Sequence, residues 1–302
     1  MPPIVSIHDR QVFKMMIPDC VIYSLCWISR NFQHFHGRWR IITFLESRRS
    51  TIKQFKAGPV SVGPNHHIWA DPNDLDGLRY YINGINPREP ISKLFLAILK
   101  PGDCVLDIGA NVGYFTVLGS MLTGSTGTVH AFEASPATAG HLQITTQNTI
   151  GNIKIHPVAV SDHSGQIDFS CGPANHSGTS SIRSLGSQEE KRISVTCVKL
   201  DSYFADLAQV KLIKIDVEGA ELMALHGMQQ LLERTKPYVI LELTDKFLRD
   251  LGSSAEALIL FMKNAGYTAY PVTDLSQPLT SPGTEQIDVL FVPIGHRALL
   301  AK

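Results

Sequence analysis

The sequence predicts an α/β fold, a seven-stranded, mostly parallel sheet with helices on both faces, preceded by an N-terminal helical and β-hairpin cap. From Pro101 onward, short apolar runs bounded by Gly, Pro, Asn or Asp alternate with stretches of helical periodicity, the pattern of strands joined by helical crossovers. Before Lys100 the pattern is irregular and punctuated by Ala57-Gly58-Pro59 and Gly63-Pro64-Asn65. The division expected is a cap over 1–90 and the main domain over 91–302.

In the cap, Val21 to Phe55 reads as helical, and His66–Asp71 with Leu78–Ile82 reads as a small strand pair across Pro72-Asn73-Asp74. The strands expected beyond it are Asp103–Ile108, Gly127–Glu133, Ile153–Val160, Leu212–Asp216, Tyr238–Leu243, Tyr267–Val272 and Ile287–Pro293. Between the third and fourth lies Ser161 to Leu200, rich in Gly, Ser, Asn and Pro; it reads as an insertion suited to substrate contacts. No internal repeat or low-complexity tract interrupts this order.

Lys plus Arg and Asp plus Glu each number 27 in 302 residues, so the net charge is zero and no nucleic acid partner is implied. The cysteines, Cys20, Cys26, Cys104, Cys171 and Cys197, form no C-x-x-C pair and read as reduced thiols. Asp9, Arg10 and Lys14 interrupt any signal-like apolar run, which points to a cytoplasmic location. The apolar stretch Cys20–Ile28 is about half of what a spanning helix needs. Basic residues around it, Arg30 to Lys56, suit either weak peripheral contact with an anionic membrane or a solvated helical face.

The strongest motif is Val105-Leu106-Asp107-Ile108-Gly109-Ala110-Asn111-Val112-Gly113-Tyr114-Phe115-Thr116, a strand, a glycine-punctuated turn and a helix. Gly109 and Gly113 permit a tight bend and close approach of a ligand, and free N–H groups at the helix start favour a carboxylate or phosphate. The glycines are spaced G-x-x-x-G, unlike the G-x-G-x-x-G of dinucleotide sites. With Asp107 and Asn111, the turn resembles the first motif of class I S-adenosylmethionine-dependent methyltransferases. In that reading Asp107, Gly109, Ala110, Asn111 and Gly113 form the cofactor turn, Glu133 at the end of the second strand accepts from the ribose hydroxyls, and Asp162 accepts from the adenine amine or forms a turn.

The second cluster is Ile213-Lys214-Ile215-Asp216-Val217-Glu218-Gly219-Ala220-Glu221. It lies at the carboxyl end of the fourth strand, facing the switch point of an open sheet. Methyl transfer to a hydroxyl needs positioning and a base, for which Asp216 and Glu218 are the candidates. Glu221 either joins them or complements the next helix. His176, in the loop Asn175 to Ser181, is a further candidate base, and Glu242 ends the fifth strand. His66-His67 has the wrong spacing for paired ligands, so no metal is expected, although Asp216 and Glu242 are groups magnesium selects.

Together with Pro101-Gly102-Asp103, Val158-Ala159-Val160-Ser161-Asp162 and Leu200-Asp201-Ser202-Tyr203, these motifs resemble the FkbM family of methyltransferases over roughly Glu89 to Val292. The resemblance implies S-adenosylmethionine as cofactor, a glycan, lipid or polyketide-type hydroxyl as acceptor, and a strand order 3-2-1-4-5-7-6 with the last strand antiparallel. It places Asp107, Gly109, Asn111, Gly113 and Glu133 at the cofactor and Asp216 and Glu218 near the acceptor. The alternatives are an NAD-dependent oxidoreductase and a non-catalytic cofactor-binding or membrane-surface protein.

Overall fold

A computed structural model describes residues 18–32, 37–63, 65–147, 149, 153–172, 180–184, 191–283 and 285–296 of the chain. The segment expected as a cap contains α1 (Asp19–Asn31), α2 (Arg38–Glu46), α3 (Arg49–Ile52), β1 (Gly58–Gly63), β2 (His66–Ala70) and α4 (Leu75–Asn83). Two buried arginines tie these pieces together. Arg30 donates to the carbonyls of Ser61 and Tyr81, and Arg38 donates to those of Ser29 and Asn83. Each guanidinium has enough donors to satisfy several carbonyls at once, which keeps its burial tolerable.

The hairpin pairs β1 with β2 in antiparallel register, and the expected second strand, Leu78–Ile82, is instead part of α4. Asp74 caps that helix, accepting from the N–H groups of Asp76 and Gly77 at 2.9 and 2.8 Å. Leu78, Tyr81 and Ile82 then fall on one buried helical face, so the aromatic and branched residues that resemble a strand serve a helix.

Next comes α5 (Pro90–Ile98), capped by Glu89 with Pro90 in its first turn. Then come β3 (Cys104–Ile108), α6 (Tyr114–Thr123), β4 (Thr128–Phe132), α7 (Pro136–Gln147), β5 (Ile153–His156), β6 (Ala159–Val160), β7 (Gly165–Cys171), β8 (Lys191–Val198) and α8 (Leu200–Tyr203). The chain continues through β9 (Leu212–Ile215), α9 (Glu221–His226), α10 (Gln229–Thr235), β10 (Tyr238–Leu243), α11 (Asp245–Asp250), α12 (Ala255–Asn264), β11 (Tyr267–Pro271) and β12 (Ile287–Pro293).

The main sheet has the order β5-β4-β3-β9-β10-β12-β11, with β12 antiparallel to both neighbours. Counting this sheet's strands alone, that is the expected 3-2-1-4-5-7-6. Its alternate residues feed two cores. Val105 and Ile240 join cap residues such as Ile22, Leu45 and Ile68 in one buried cluster, while Leu106, Ile213 and Leu241 join Met228 and Met262 in another.

One expected strand divides. Ile153–Val160 breaks after His156, and Ala159–Val160 moves into a three-stranded sheet of order β6-β8-β7. The insertion read as irregular therefore contains a long antiparallel pair, β7 with β8. Its alternation of Phe169 and of Val195 and Cys197 into a small core of their own was present in the sequence, overshadowed by the surrounding glycines and serines. Among the described residues no helix is long and apolar enough to cross a membrane. Tyr23, Trp27, Phe32 and Trp39 of the cap are exposed.

Candidate active site

The site forms where β3 and β9 part at the switch point. Ile108 and Ile215 are register partners, so the residues after them meet: the Asp216 N–H donates to the Ile108 carbonyl at 2.9 Å. Gly109 has φ +81°, and a Cβ there would lie 1.8 Å from the Asp216 carbonyl oxygen. A Cβ on Gly113, at φ +98°, would lie 2.7 Å from Leu142 Cδ1. Gly109 is thus required by the approach of the Asp216 backbone and by its positive φ, and Gly113 chiefly by its positive φ, since the leucine methyl near it can shift.

The turn's N–H groups are also engaged within the protein. Those of Gly109 and Ala110 donate to the Phe132 carbonyl, that of Gly113 to Ala110, and that of Asn111 to Glu133 Oε2 at 2.9 Å. These bonds brace the turn itself and do not involve the N–H groups of Tyr114, Phe115 and Thr116 at the start of α6. Glu133 Oε1 accepts from the Ser135 N–H at 2.8 Å. Burial pushes the Glu133 carboxyl up to about 7 against the downward pull of these two N–H groups. Asp107 is fully buried beneath the turn, accepting from Thr116 Oγ1 at 2.6 Å; burial raises its pKa.

Opposite the turn, Lys214 Nζ donates to Asp216 Oδ2 at 2.9 Å and lies 4.9 Å from the centre of the Phe115 ring. Burial would lower the lysine pKa, but Asp216 and Asp107 together outweigh it and hold it above its ordinary value. Glu218 sits at φ +54°, with its carbonyl accepting from Ser181 Oγ at 2.8 Å. Burial, then the charges of Asp216 and Glu242, push the Glu218 carboxyl to about 8. Burial, then Asp216 and Asp288, push Glu242 to about 7. One oxygen from each of Asp216, Glu218 and Glu242 lies within 4.8 Å of the others.

A cavity of about 500 Å³ joins the two halves. Gly109, Ala110, Asn111 and Glu133 line one side, Asp216, Glu218 and Glu242 another, and Phe132, Val158–Val160 and Phe169 form an apolar wall. Asp107 and Gly113 are not among the lining residues. Glu221 is resolved as structural: its Oε1 accepts from the N–H groups of Val217 and Gly219 ahead of α9. Asp162, expected to meet adenine or to form a turn, is not among the residues lining this cavity, and its Oδ1 pairs with His163 Nδ1 at 2.7 Å. That hydrogen bond holds the Asp162 pKa low. His176 lies outside the described residues.

Sequence reasoning missed Tyr80, Phe115, Lys214 and Gln286, which also line the cavity. Tyr80 was hidden by the strand reading of α4. Lys214 had a usable signal, since two residues before Asp216 on a strand is the same face.

A sequence-family model described as the methyltransferase FkbM domain matches residues 107–269, more than half of the chain and every residue of the turn and carboxylate cluster. The chain belongs to the FkbM methyltransferase family. It is 28% identical over 162 residues to the hexuronic acid methyltransferase AglP of Haloferax volcanii, covering 54% of this chain and 64% of that one. It is 29% identical over 194 residues to the 2-O-methyltransferase NoeI of Sinorhizobium fredii, covering 57% of this chain and 77% of that one. Against the archaeal relative the match thus spans under two thirds of that protein's length. Among solved structures, FkbM methyltransferase from Methylobacillus flagellatus aligns at 16% identity with a TM-score of 0.42, covering 71% of this chain and 52% of that one.

Proposed function

We propose that this FkbM-family methyltransferase uses S-adenosylmethionine to methylate a hydroxyl oxygen of a sugar. The observation that carries the reading is the single cavity that joins Glu133 and the Gly109–Asn111 turn to Asp216, Glu218 and Glu242. The name of the Haloferax relative supports a sugar acceptor over a lipid or polyketide, that of the Sinorhizobium relative supports methylation at oxygen, and family membership disfavours the oxidoreductase alternative.

The residues present fit the cofactor. Each Glu133 oxygen accepts one backbone N–H and keeps capacity for a ribose hydroxyl. Asn111 Oδ1 is buried without a hydrogen-bond partner among the described residues. The wall of Phe132, Val158–Val160 and Phe169 suits a purine, and the cavity volume falls within the range of small-ligand sites. When bound, S-adenosylmethionine supplies an electrophilic methyl group on sulfur.

The chain's part is to align the acceptor hydroxyl and take its proton at a carboxylate oxygen. Asp216 is committed to Lys214, so its role is to orient. Glu242 and Glu218, whose pKa values stand at about 7 and about 8, are matched to proton acceptance near neutral pH.

Isothermal titration with S-adenosylhomocysteine tests the reading without knowledge of the acceptor. Binding to the wild type that weakens at least tenfold in Glu133→Ala is the expected result. Absence of binding to folded wild-type protein would overturn it.

A further inference from the structure

A second cavity, of about 580 Å³, abuts the first and shares Tyr80, Phe115, Lys214, Asp216 and Glu242 with it. Its other walls come from the cap, through Glu46, Arg49 and Asn83, and from Asp288 of β12. A ligand seated there would reach the carboxylates that face the cofactor cavity while resting on residues that precede the family's matched region.

The charges of this second cavity do not balance. Each cation in its lining is matched by a carboxylate in the same lining: Arg49 with Glu46 at 3.7 Å, Arg79 with Asp76 at 3.2 Å, and Lys214 with Asp216 at 2.9 Å. Glu89, Glu242 and Asp288 remain: Glu89 accepts from the N–H groups of Ile91 and Ser92 as the cap of α5, while Glu242 and Asp288 are register partners on the antiparallel β10–β12 pair and belong to none of these ion pairs. Like charges directly opposite across strands repel. In the same wall Asn83 keeps a buried Oδ1 that has no hydrogen-bond partner among the described residues.

The surplus is therefore of acceptors and negative charge. Sugar hydroxyls donate hydrogen bonds to such groups, whereas a carboxylate or phosphate on the sugar would meet like charge in a partly desolvated space. The Tyr80 and Phe115 rings offer apolar surface to a pyranose face. We infer that the second cavity is the acceptor site and selects an uncharged, hydroxyl-rich pyranoside over a uronate or a sugar phosphate. This rests on the proposed sugar methylation, and it departs from the acid named for the Haloferax relative.

The test uses the full chain saturated with S-adenosylhomocysteine and titrated with a panel of neutral methyl hexopyranosides and the matching methyl hexuronosides. The expected result is that a neutral glycoside binds about tenfold or more tightly than its uronate partner, a preference set by the uncompensated charges. Asn83→Phe, which fills the cavity, should weaken sugar binding at least tenfold with S-adenosylhomocysteine affinity unchanged. Asp288→Asn should narrow the gap between neutral and acidic sugars. Tighter binding of the uronate, or failure of every neutral glycoside, overturns the inference. If S-adenosylhomocysteine binds while the sugars behave so, the acceptor inference alone fails; if it does not bind, the cofactor reading fails as well.

Discussion

Lys214 and Asp216 stand two residues apart on and just beyond β9, on the same face of the chain, with Nζ 2.9 Å from Oδ2. The lysine side chain is 6% exposed and that of the aspartate 37%. The pair carries the only positive charge buried beside Asp107 and Asp216 among the described residues, so it sets the electrostatics of the cleft. Replacing Lys214 by Met keeps the apolar stem and removes the charge. The loss expected is roughly 2–4 kcal/mol, somewhat below the range for a fully buried pair because Asp216 reaches solvent. Denaturant unfolding of the two proteins measures it, and an unchanged midpoint would show that Asp107 and Asp216 do not need this cation.

The cleft carboxylates also set a pH dependence of stability. Glu133, Glu221 and Glu242 are raised from 4.5 to about 7 and Glu218 to about 8, with burial the leading cause in each. A raised folded pKa means that the folded state holds the proton more tightly. The stability these groups contribute is fully present below pH 4.5 and is lost as pH rises through 7 to 8. The lowered carboxyls of Asp162, Asp245 and Asp274 act in a separate window, losing their contribution only as pH falls below 3.8. The ligand-free protein should therefore have a lower Tm at pH 8 than at pH 5, and Glu242→Gln should flatten the slope. A Tm that climbs between pH 5 and 8 would contradict this account.

Gly109→Ala tests the braced turn. Its Cβ would enter the Asp216 carbonyl oxygen, a backbone atom that cannot swing aside, and φ of +81° adds strain for any L residue. A destabilisation of about 3 kcal/mol or more is expected, together with loss of S-adenosylhomocysteine binding because Asp216 is displaced. Near-native stability in thermal unfolding would mean that the β3 and β9 ends separate easily.

Much of this was legible in the sequence where one physical cause acts locally. The alternation of apolar strands and helices gave the sheet, and the strand ends gave Glu133 and Asp216, because parallel strands present their carboxyl ends to one side. What misled was local chemistry with two outcomes. Leu78–Ile82 carries strand-forming residues, but the Asp74 cap commits it to a helix. Asp162 follows a strand as a ligand-binding acid would and also sits beside His163, with which it pairs, so the sequence alone left both roles open. The second cavity was invisible because Asn83, Arg49 and Asp288 are brought together only by tertiary packing.

The remaining test reads Glu242 and Glu218 as one coupled system. A base must be ionised to take the hydroxyl proton, so methyl transfer by the wild type should rise with pH and level off beyond the two values of about 7 and about 8. Glu242→Gln removes a proton acceptor, for which a loss of about 100-fold or more in kcat is expected. It also removes one of the negative charges that raise Glu218. The residual activity of Glu242→Gln should then have its inflection at a lower pH than the wild type, because ionising Glu218 no longer opposes a neighbouring carboxylate. A pH–rate profile of both proteins, with acceptor in excess, separates the outcomes. Reduced activity with a shifted inflection marks the two carboxylates as coupled at the reacting centre, whereas reduced activity with an unmoved inflection would leave Glu242 as a contact to the acceptor and assign the titration elsewhere.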